Sequence, residues 1–572
     1  MTIKKLTKAI SKRLKKISIK EVSTYCKLHS YWNKRHDFYL PPQAFGCSIN
    51  EYEKQKAFTF SQNIKFSILV PLYNTPEAFL KEMIGSVIFQ TYDNWELCLA
   101  DGSDESHKYV EDVCKSIIQK DDRIKYLKLE ENKGISENTN ACITMATGDY
   151  ISLFDHDDLL HPCALFETMK AICEKDADYV YTDEVIFQSP NLNKINNANF
   201  KPDFAPDYFN GTNYLCHFSS FKKSLLDSIG NFDSATDGAQ DYDFFLRISE
   251  KAQKIVHNAK CMYYWRASAT STANSIGTKT YAIEAGKRAL EKHYKRLSVD
   301  AEVEICKNIL YRTKYRINLL PKISIIIINK NKNKTCECIN SILGKTTYSD
   351  FEILVFDKSI NFETLIPDSR IHSFTYSEKL SDAELLNKAT TYAKGDYLIF
   401  LNCNIQITTP EWIEEMLMYA QRENVGATGG KILYRNKRVF NAGIILNNKG
   451  QVERWQQNLR ADENGLGFRL SLTQNYSAIT SECMMVSKKL FEENKGFDTN
   501  YANNFYDIDF CLRLREKNLL VVWTPFAEFN YNSVPKVNST ASPKKMTYCD
   551  PYFNPNLSKK NNSSLLNCFP ED

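Results

Sequence analysis

Asp155-His156-Asp157-Asp158 crowds three carboxylates onto one turn of chain. Without a counter-charge such acids repel one another and cost stability. A cation seated among them removes that cost. One turn that offers one or two carboxylates suits Mg²⁺ or Mn²⁺, ions that keep some of their water and share the diphosphate of a substrate. The competing use of such a turn is a helix N-terminus, where the dipole favours acids, and Asp-x-Asp by itself does not separate the two. A second pair, Asp241 and Asp243, stands in GAQDYDFFLRI (238–248). Phe244, Phe245, Leu246 and Ile248 read as the buried face of a helix, which places Asp241 in its first turn. A carboxylate there can act as a general base or as a cap without chemistry.

The elements that must position these acids come from an internal repeat. FSILVPLYN (66–74) is answered by ISIIIINKN (323–331), and NWELCLAD, ending at Asp101, by FEILVFD, ending at Asp357. ATGDYISLFDHDD (146–158) is answered by AKGDYLIFLNCN (393–404), and QDYDFFLRI (240–248) by YDIDFCLRL (506–514). Four matches in one order, offset by roughly 250 residues, mark a tandem duplication. Within each copy apolar strand runs alternate with helical patterns, so the expected class is α/β: two tandem Rossmann-like domains on mostly parallel sheets. In the first copy the strands fall near 64–70, 96–100, 124–129 and 150–154, with Ser136 as cap of a helix ending at Gly148. Pro71-Leu72-Tyr73-Asn74, Asp101 and the Asp155 turn each follow the carboxyl end of a strand, the edge where open α/β sheets bind ligands.

The chain divides into an N-terminal extension at 1–60, a first domain at 61–299, a linker at 300–320 that reads as helical, a second domain at 321–535, and an extended tail at 536–572. Its 572 residues exceed one hydrophobic core, and its ordinary apolar and charged fractions exclude wholesale disorder. The net charge of +4 hides an asymmetry: residues 1–20 carry eight Lys/Arg and no acid. Ile3, Leu6, Ile10, Leu14 and Ile17 recur at helical spacing there, a basic amphipathic pattern suited to an anionic membrane surface. No apolar run reaches the ~18 residues of a membrane span; the longest, Ile323 to Ile328, is strand-length. The 17 scattered cysteines, with no signal peptide ahead of them, fit a reducing, cytoplasmic compartment, with the N-terminus at the inner face of the membrane. Cys336 and Cys338 lack a second cluster and read as two thiols near a helix start.

These motifs resemble the inverting family-two glycosyltransferases of the GT-A fold, and more closely the tandem-domain enzymes of bacterial O-antigen and surface-polysaccharide assembly. The likeness rests on VPLYN (70–74), LADGS (99–103), NKGISENTNACITMATGDYISLFDHDDLL (132–160), GNFD (230–233), GAQDYDFFLRI and YYWRASATSTA (263–273). EKLSDAELLNKATTYAKGDYLIFLN (378–402), GFD (496–498), YDIDFCLRLREK, WTPFAE (523–528) and DPYFNPNL (550–557) extend it to the second copy and the tail. The resemblance implies a nucleoside-diphosphate-sugar donor and a glycan acceptor; a lipid-linked glycan would explain a membrane-hugging N-terminus. It implies that Pro71, Tyr73 and Asp101 line the pocket for the base, that Asp155 binds the ribose side, and that Asp157 ligates Mn²⁺ or Mg²⁺. Asp241 would take the proton of the acceptor hydroxyl, and Arg266 would contact phosphate.

Two departures stand out. Tyr264-Trp265-Arg266 replaces the His-Trp-Arg of the family, whose His often completes the metal site, so the cation is expected to be held more weakly. The second copy keeps Asp357 and Asp507 but has Asn402-Cys403-Asn404 at the metal position and Tyr531 where the family has His, so it is expected to be degenerate. The alternative reading is a non-catalytic binder of nucleotide sugar or glycan. The absence of Gly-x-Gly-x-x-Gly after any strand argues against a dinucleotide-dependent oxidoreductase. The near-neutral body, with no recognisable module, argues against nucleic acid.

Overall fold

The computed structural model describes residues 42–188, 191–267, 280–307, 310–377, 379–448, 450–501, 505–532 and 549–557. The basic stretch at 1–20 lies outside them. Of the N-terminal extension the described part holds a helix, Ile49–Lys56, capped by the Ser48 side chain.

Each copy folds around one sheet. In the first, the strands are β1 Phe66–Leu72, β2 Trp95–Asp101, β3 Ile124–Lys128, β4 Tyr150–Leu153, β5 Leu159–Leu160, β6 Tyr179–Gln188, β7 Asn191–Asn199, β8 Ser219–Lys222 and β9 Ile255–Arg266. They lie in the order β3-β2-β1-β4-β8-β6-β9-β5, with β7 paired to β6. β10 Ala301–Cys306 and β11 Leu310–Tyr315 follow. In the second copy they are β12 Ile323–Ile328, β13 Phe351–Asp357, β14 Ile371–Thr375, β15 Tyr397–Leu401, β16 Ile405–Ile407, β17 Val425–Tyr434, β18 Val439–Asn441, β19 Ile444–Leu446, β20 Val452–Arg454, β21 Gln474–Asn475, β22 Cys483–Ser487 and β23 Leu520–Tyr531. Their order, β14-β13-β12-β15-β22-β17-β23-β16, repeats the first sheet strand for strand. In both sheets most strands run one way, and the four at one side are parallel throughout. β1 and β12 read as near-continuous apolar runs, each with one serine, and both are buried almost throughout.

One polar network recurs in both cores. Ser67 donates to Glu96 at 2.7 Å and accepts from the N–H of Gly148 at 2.8 Å; Ser324 donates to Glu352 at 2.6 Å and accepts from Gly395 at 2.8 Å. A Cβ on Gly148 would stand 2.6 Å from the Lys65 carbonyl oxygen, and one on Gly395 2.6 Å from the Ser324 nitrogen. The Gly-Asp pair that opens β4 and β15 is therefore a packing requirement, and it sets the register of the strand that carries the Asp-x-Asp turn.

Two sequence expectations change. The stretch 300–320 is not helical: β10 and β11 form an antiparallel hairpin, with Val303, Leu310 and Tyr311 buried and Glu304 paired across the ladder to Lys314 at 2.5 Å. Cross-strand pairing wins over a local helical pattern. Ser136 is not a cap either. Gly134 holds the N-cap position at φ +95°, the helix Ile135–Met145 stops short of Gly148, and the Ser136 hydroxyl donates to Asp237 at 2.5 Å.

The copies share a core cluster and a polar bridge. Asp207, 4% exposed, accepts two hydrogen bonds from the Arg422 guanidinium (2.6 and 3.0 Å) and one from Asn475 (2.7 Å). The tail motif clamps both copies. Asp550 accepts from Ser477 and the Leu446 N–H in the second copy, while Asn554 donates to Asp183 and the Lys201 carbonyl in the first.

Candidate active site

The loops after β1, β2 and β4 meet at one sheet edge. Asp101 ends β2 fully buried and accepts from the Ser103 N–H and the Tyr126 hydroxyl, both at 2.8 Å, with Lys128 at 3.3 Å. Next to it, Pro71 lies near the end of β1 and Tyr73 is 47% exposed at the cleft rim. Asn74 ties this loop to the β2 loop through its N–H on Ser103 (2.8 Å) and its amide on Asp104 (2.9 Å). Thr75 ties it to the Asp-x-Asp turn through His156 at 2.9 Å.

The three acids of that turn divide the work. Asp158 is buried and accepts from the Tyr263 hydroxyl (2.5 Å) and the Arg266 N–H (2.7 Å); burial, then Asp157 and Asp155, push its carboxyl well above the usual range. It anchors the turn to β9. Asp155 and Asp157 remain at the cleft. Burial within the cleft raises the Asp155 carboxyl, against the pull of His217, although water still reaches 46% of its side chain. Among the described residues the Asp157 carboxylate accepts no hydrogen bond. Nor do three His, Cys, Asp or Glu side chains gather among them as a complete metal cage. The donor set therefore fits an ion of the Mg²⁺ or Mn²⁺ kind only as a partial shell, with the remaining positions left to water and a substrate diphosphate.

Arg266 is buried beneath the turn, and Tyr264 does not take the position its motif implied. Arg266 is 1% exposed. Its guanidinium reaches Glu82 at 2.7 Å and the Asp157 carbonyl at 2.5 Å and lies over the Phe79 ring at 4.2 Å. It braces the turn through the Asp157 carbonyl. Alternation along β9 sends Tyr263 toward the turn and Tyr264 the other way, where its ring packs edge-on to Phe45 at 5.1 Å and its hydroxyl donates to the Phe45 carbonyl. The phenol thus points away from the Asp-x-Asp turn, and its effect on a cation is not that of a poor ligand.

Asp241 lies in the first turn of the helix Gln240–Lys251. Its Oδ2 accepts from the Cys216 thiol at 3.0 Å and the Asn213 amide at 3.2 Å, and its Oδ1 from the Tyr242 N–H at 2.8 Å. Asp243 instead pairs with Arg247 at 2.8 Å in the core, as Asp509 does with Arg513. Next to Cys216, His217 stands 3.5 Å from Asp155 through Nε2 and 3.1 Å from Glu184 through Nδ1. Burial works against the Glu184 carboxylate, but Lys201 at 3.7 Å, His217 and Asn199 hold it down to about 2. Burial likewise works against a charged His217, and Glu184 with Asp155 overcomes it and raises the ring to about 9. Cys216, His217, Glu184 and Lys201 carry no motif. The one signal in the sequence was a charged Glu184 inside the strand-like run YVYTDEVIFQ (179–188).

The second copy builds the same edge with different chemistry. Asn402 accepts from the N–H and the side-chain amide of Asn404 (3.0 and 2.9 Å), so the turn satisfies itself. Burial works against the Asp357 carboxylate, but the Asn329 amide and the N–H groups of Ser359 and Ile360 hold it below its ordinary range. Asp507 accepts from Ser481, whose hydroxyl at 3.1 Å takes the place of the Cys216 thiol; burial pushes this carboxyl up to about 6. Tyr531 stacks on Phe440 at 4.2 Å.

The model of the family described as "Glycosyl transferase family 2" matches residues 67–230 and again 324–494, one match on each sheet. The chain belongs to glycosyl transferase family 2. A protein of Sinorhizobium fredii named uncharacterized protein y4gI is 34% identical over 532 residues, 87% of this chain and 58% of the relative. The O-antigen biosynthesis protein RfbC of Myxococcus xanthus is 29% identical over 88% of this chain and 41% of its own length. The chain thus spans about half the length of the curated relatives it matches. Among solved structures, S. aureus TarS 1–349 in complex with UDP aligns with 41% of this chain and 72% of its own at 20% identity and a TM-score of 0.30. The two family-2 regions are the tandem α/β domains of the duplicated sequence, with GT-A architecture.

Proposed function

We propose that the first copy is an inverting glycosyltransferase site that moves a sugar from a nucleoside-diphosphate sugar to a glycan acceptor in surface-polysaccharide synthesis. The observation that supports this most is the contrast between two copies of one fold. At the same sheet edge the first keeps Asp155 and Asp157 open to the cleft, while the second has a self-bonded Asn402–Asn404 pair.

In this reading Pro71, Tyr73 and Asp101 hold the base, and Asp155 holds the ribose side. Asp157 would hold Mg²⁺ or Mn²⁺, which offsets the charge that builds on the departing diphosphate. Asp241, oriented by Cys216 and Asn213, accepts the proton of the acceptor hydroxyl as that oxygen attacks the anomeric carbon opposite the leaving group. Inversion follows from that single displacement, whose transition state has the oxocarbenium character of glycoside chemistry. Arg266 contributes by fixing the turn through the Asp157 carbonyl. The second copy serves as scaffold or acceptor platform. A lipid-linked acceptor at the cytoplasmic face of the membrane is the form that gives the basic residues 1–20 a role.

The test is a panel of nucleotide sugars with Mn²⁺ or Mg²⁺ and surface-glycan fragments as acceptors, scored for nucleoside diphosphate release. The parent should turn over one donor, and Asp157→Asn should lose both transfer and metal response. A parent that binds a nucleotide sugar and never transfers it is a binder, and the proposal fails.

A further inference from the structure

His217 is held on every side but one. Its Nδ1 faces Glu184 at 3.1 Å, and its backbone N–H donates to the same carboxylate at 2.6 Å. Its ring stacks on Tyr263 with 4.7 Å between centroids and meets Trp265 edge-on at 5.6 Å. Lys201 fixes the backbone through the carbonyls of Cys216 (2.5 Å) and His217 (2.8 Å), and both Lys201 and Glu184 are buried to within 4%. Nε2 lies on the remaining side, 3.5 Å from Asp155, and 24% of the side chain stays exposed there. Both ring nitrogens face carboxylates, which favours the doubly protonated ring and a positive charge beside the Asp-x-Asp turn.

The second copy supplies an internal comparison. β4 pairs with β8 at Leu153 and Ser219, and β15 pairs with β22 at Phe400 and Met484, which makes Glu482 the counterpart of His217. Glu482 is ion-paired at 2.6 Å to Arg454 from the copy's own β19–β20 hairpin, and Arg454 lies over the Phe440 ring at 4.0 Å. Where the turn keeps its acids a cation stands beside it. Where the turn has lost them an anion stands there, already neutralised by the chain itself. A nucleoside diphosphate brings two or more negative charges to this edge, which favours the first arrangement and opposes the second.

We propose that His217 is a diphosphate-binding residue of the first copy, presenting its Nε2–H to the phosphates of the donor while Glu184 and Lys201 hold it in place. This rests on the reading of the first copy as a nucleotide-sugar site. The experiment is calorimetric titration of the full chain with UDP, GDP, dTDP and their monophosphates, in Mg²⁺ and in EDTA. His217→Asn keeps an amide donor toward Glu184 and removes the group that faces the cleft; His217→Gln keeps a donor where Nε2 was. The expected result is that His217→Asn weakens diphosphate binding by about tenfold or more, the scale of a charge-assisted hydrogen bond, and monophosphate binding by less than about threefold. His217→Gln should lose less than His217→Asn. Equal losses for both variants, equal losses for mono- and diphosphate, or no loss overturns the proposal. A loss that appears only with Mg²⁺ also overturns it, because it would make His217 a metal ligand. If His217→Asn melts early, the imidazole ¹⁵N signal of His217 in the parent decides: it should shift when UDP or the better-bound diphosphate is added, and an unmoved signal refutes the role. A parent that binds no nucleotide at all overturns the donor-site reading itself, an outcome distinct from variants that match a binding parent.

Discussion

Replacing Asp241 by Asn asks which copy performs the reaction. The amide is nearly isosteric, and Oδ1 can still accept the Tyr242 N–H, now 2.8 Å away. Its NH₂ would face the Asn213 amide, but among the described residues Asn213 Oδ1 is a buried acceptor without a partner, so turning that side chain provides a new hydrogen bond. Folding should therefore change little, and what disappears is the ability to take a proton. General-base catalysis contributes about 10²- to 10⁴-fold, or ~3–5 kcal/mol at 1.36 kcal/mol per decade. The expected loss in kcat for nucleoside diphosphate release is of that size. Asp507→Asn, in the copy whose turn is Asn402–Asn404, should stay within about twofold of the parent. The assay is the initial rate of diphosphate release at saturating donor and acceptor, with the melting temperature of each variant as control. A folded Asp241→Asn that keeps more than about a third of parental kcat refutes the assignment, as does an inactive Asp507→Asn.

Cys216→Ser should keep most of the rate, since Ser481 makes the equivalent bond to Asp507 at 3.1 Å, whereas Cys216→Val should cost roughly tenfold in kcat, the value of one hydrogen bond to a charged group. Arg422→Ala leaves the Asp207 carboxylate buried with only Asn475, and the buried-pair scale predicts ~3–5 kcal/mol of destabilisation by denaturant melts. The His217 ring is raised from 6.5 to about 9 in the folded protein, so its contribution to stability is complete below about pH 6.5 and is lost as pH rises through 9. The melting temperature should fall across that window, and the fall should flatten in His217→Gln.

The duplication and the sheet edge were legible because they rest on local signals: near-continuous apolar strands, a Gly-Asp pair that packing demands, and acids directly after strand ends. The groups around those acids were not. His217 meets Glu184 across 33 residues through the β6–β8 ladder, and no spacing rule announces such a contact. Tyr264 looked like a defect in a metal site because a motif gives the residue without its side; the pleat of β9 turns it toward Phe45. The motif implied a phosphate contact for Arg266 but did not announce that its planar guanidinium is buried between Glu82 and the Asp157 carbonyl. The 301–315 hairpin was missed because charge pairs across a ladder are invisible along the chain. DPYFNPNL was recognisable as a motif, but its work, bonding the second copy through Asp550 and the first through Asn554, exists only in the folded chain.

Of two sheet edges with the same strand order, the first is assigned the donor. Crystals of the full chain grown with Mn²⁺ and the nucleoside diphosphate it binds, read by anomalous scattering, test it most directly. One manganese peak should appear beside Asp157, with the diphosphate across it and the base toward Asp101, and no peak at Asn402–Asn404. Manganese and nucleotide at the second copy, or nucleotide bound away from both edges, would contradict it.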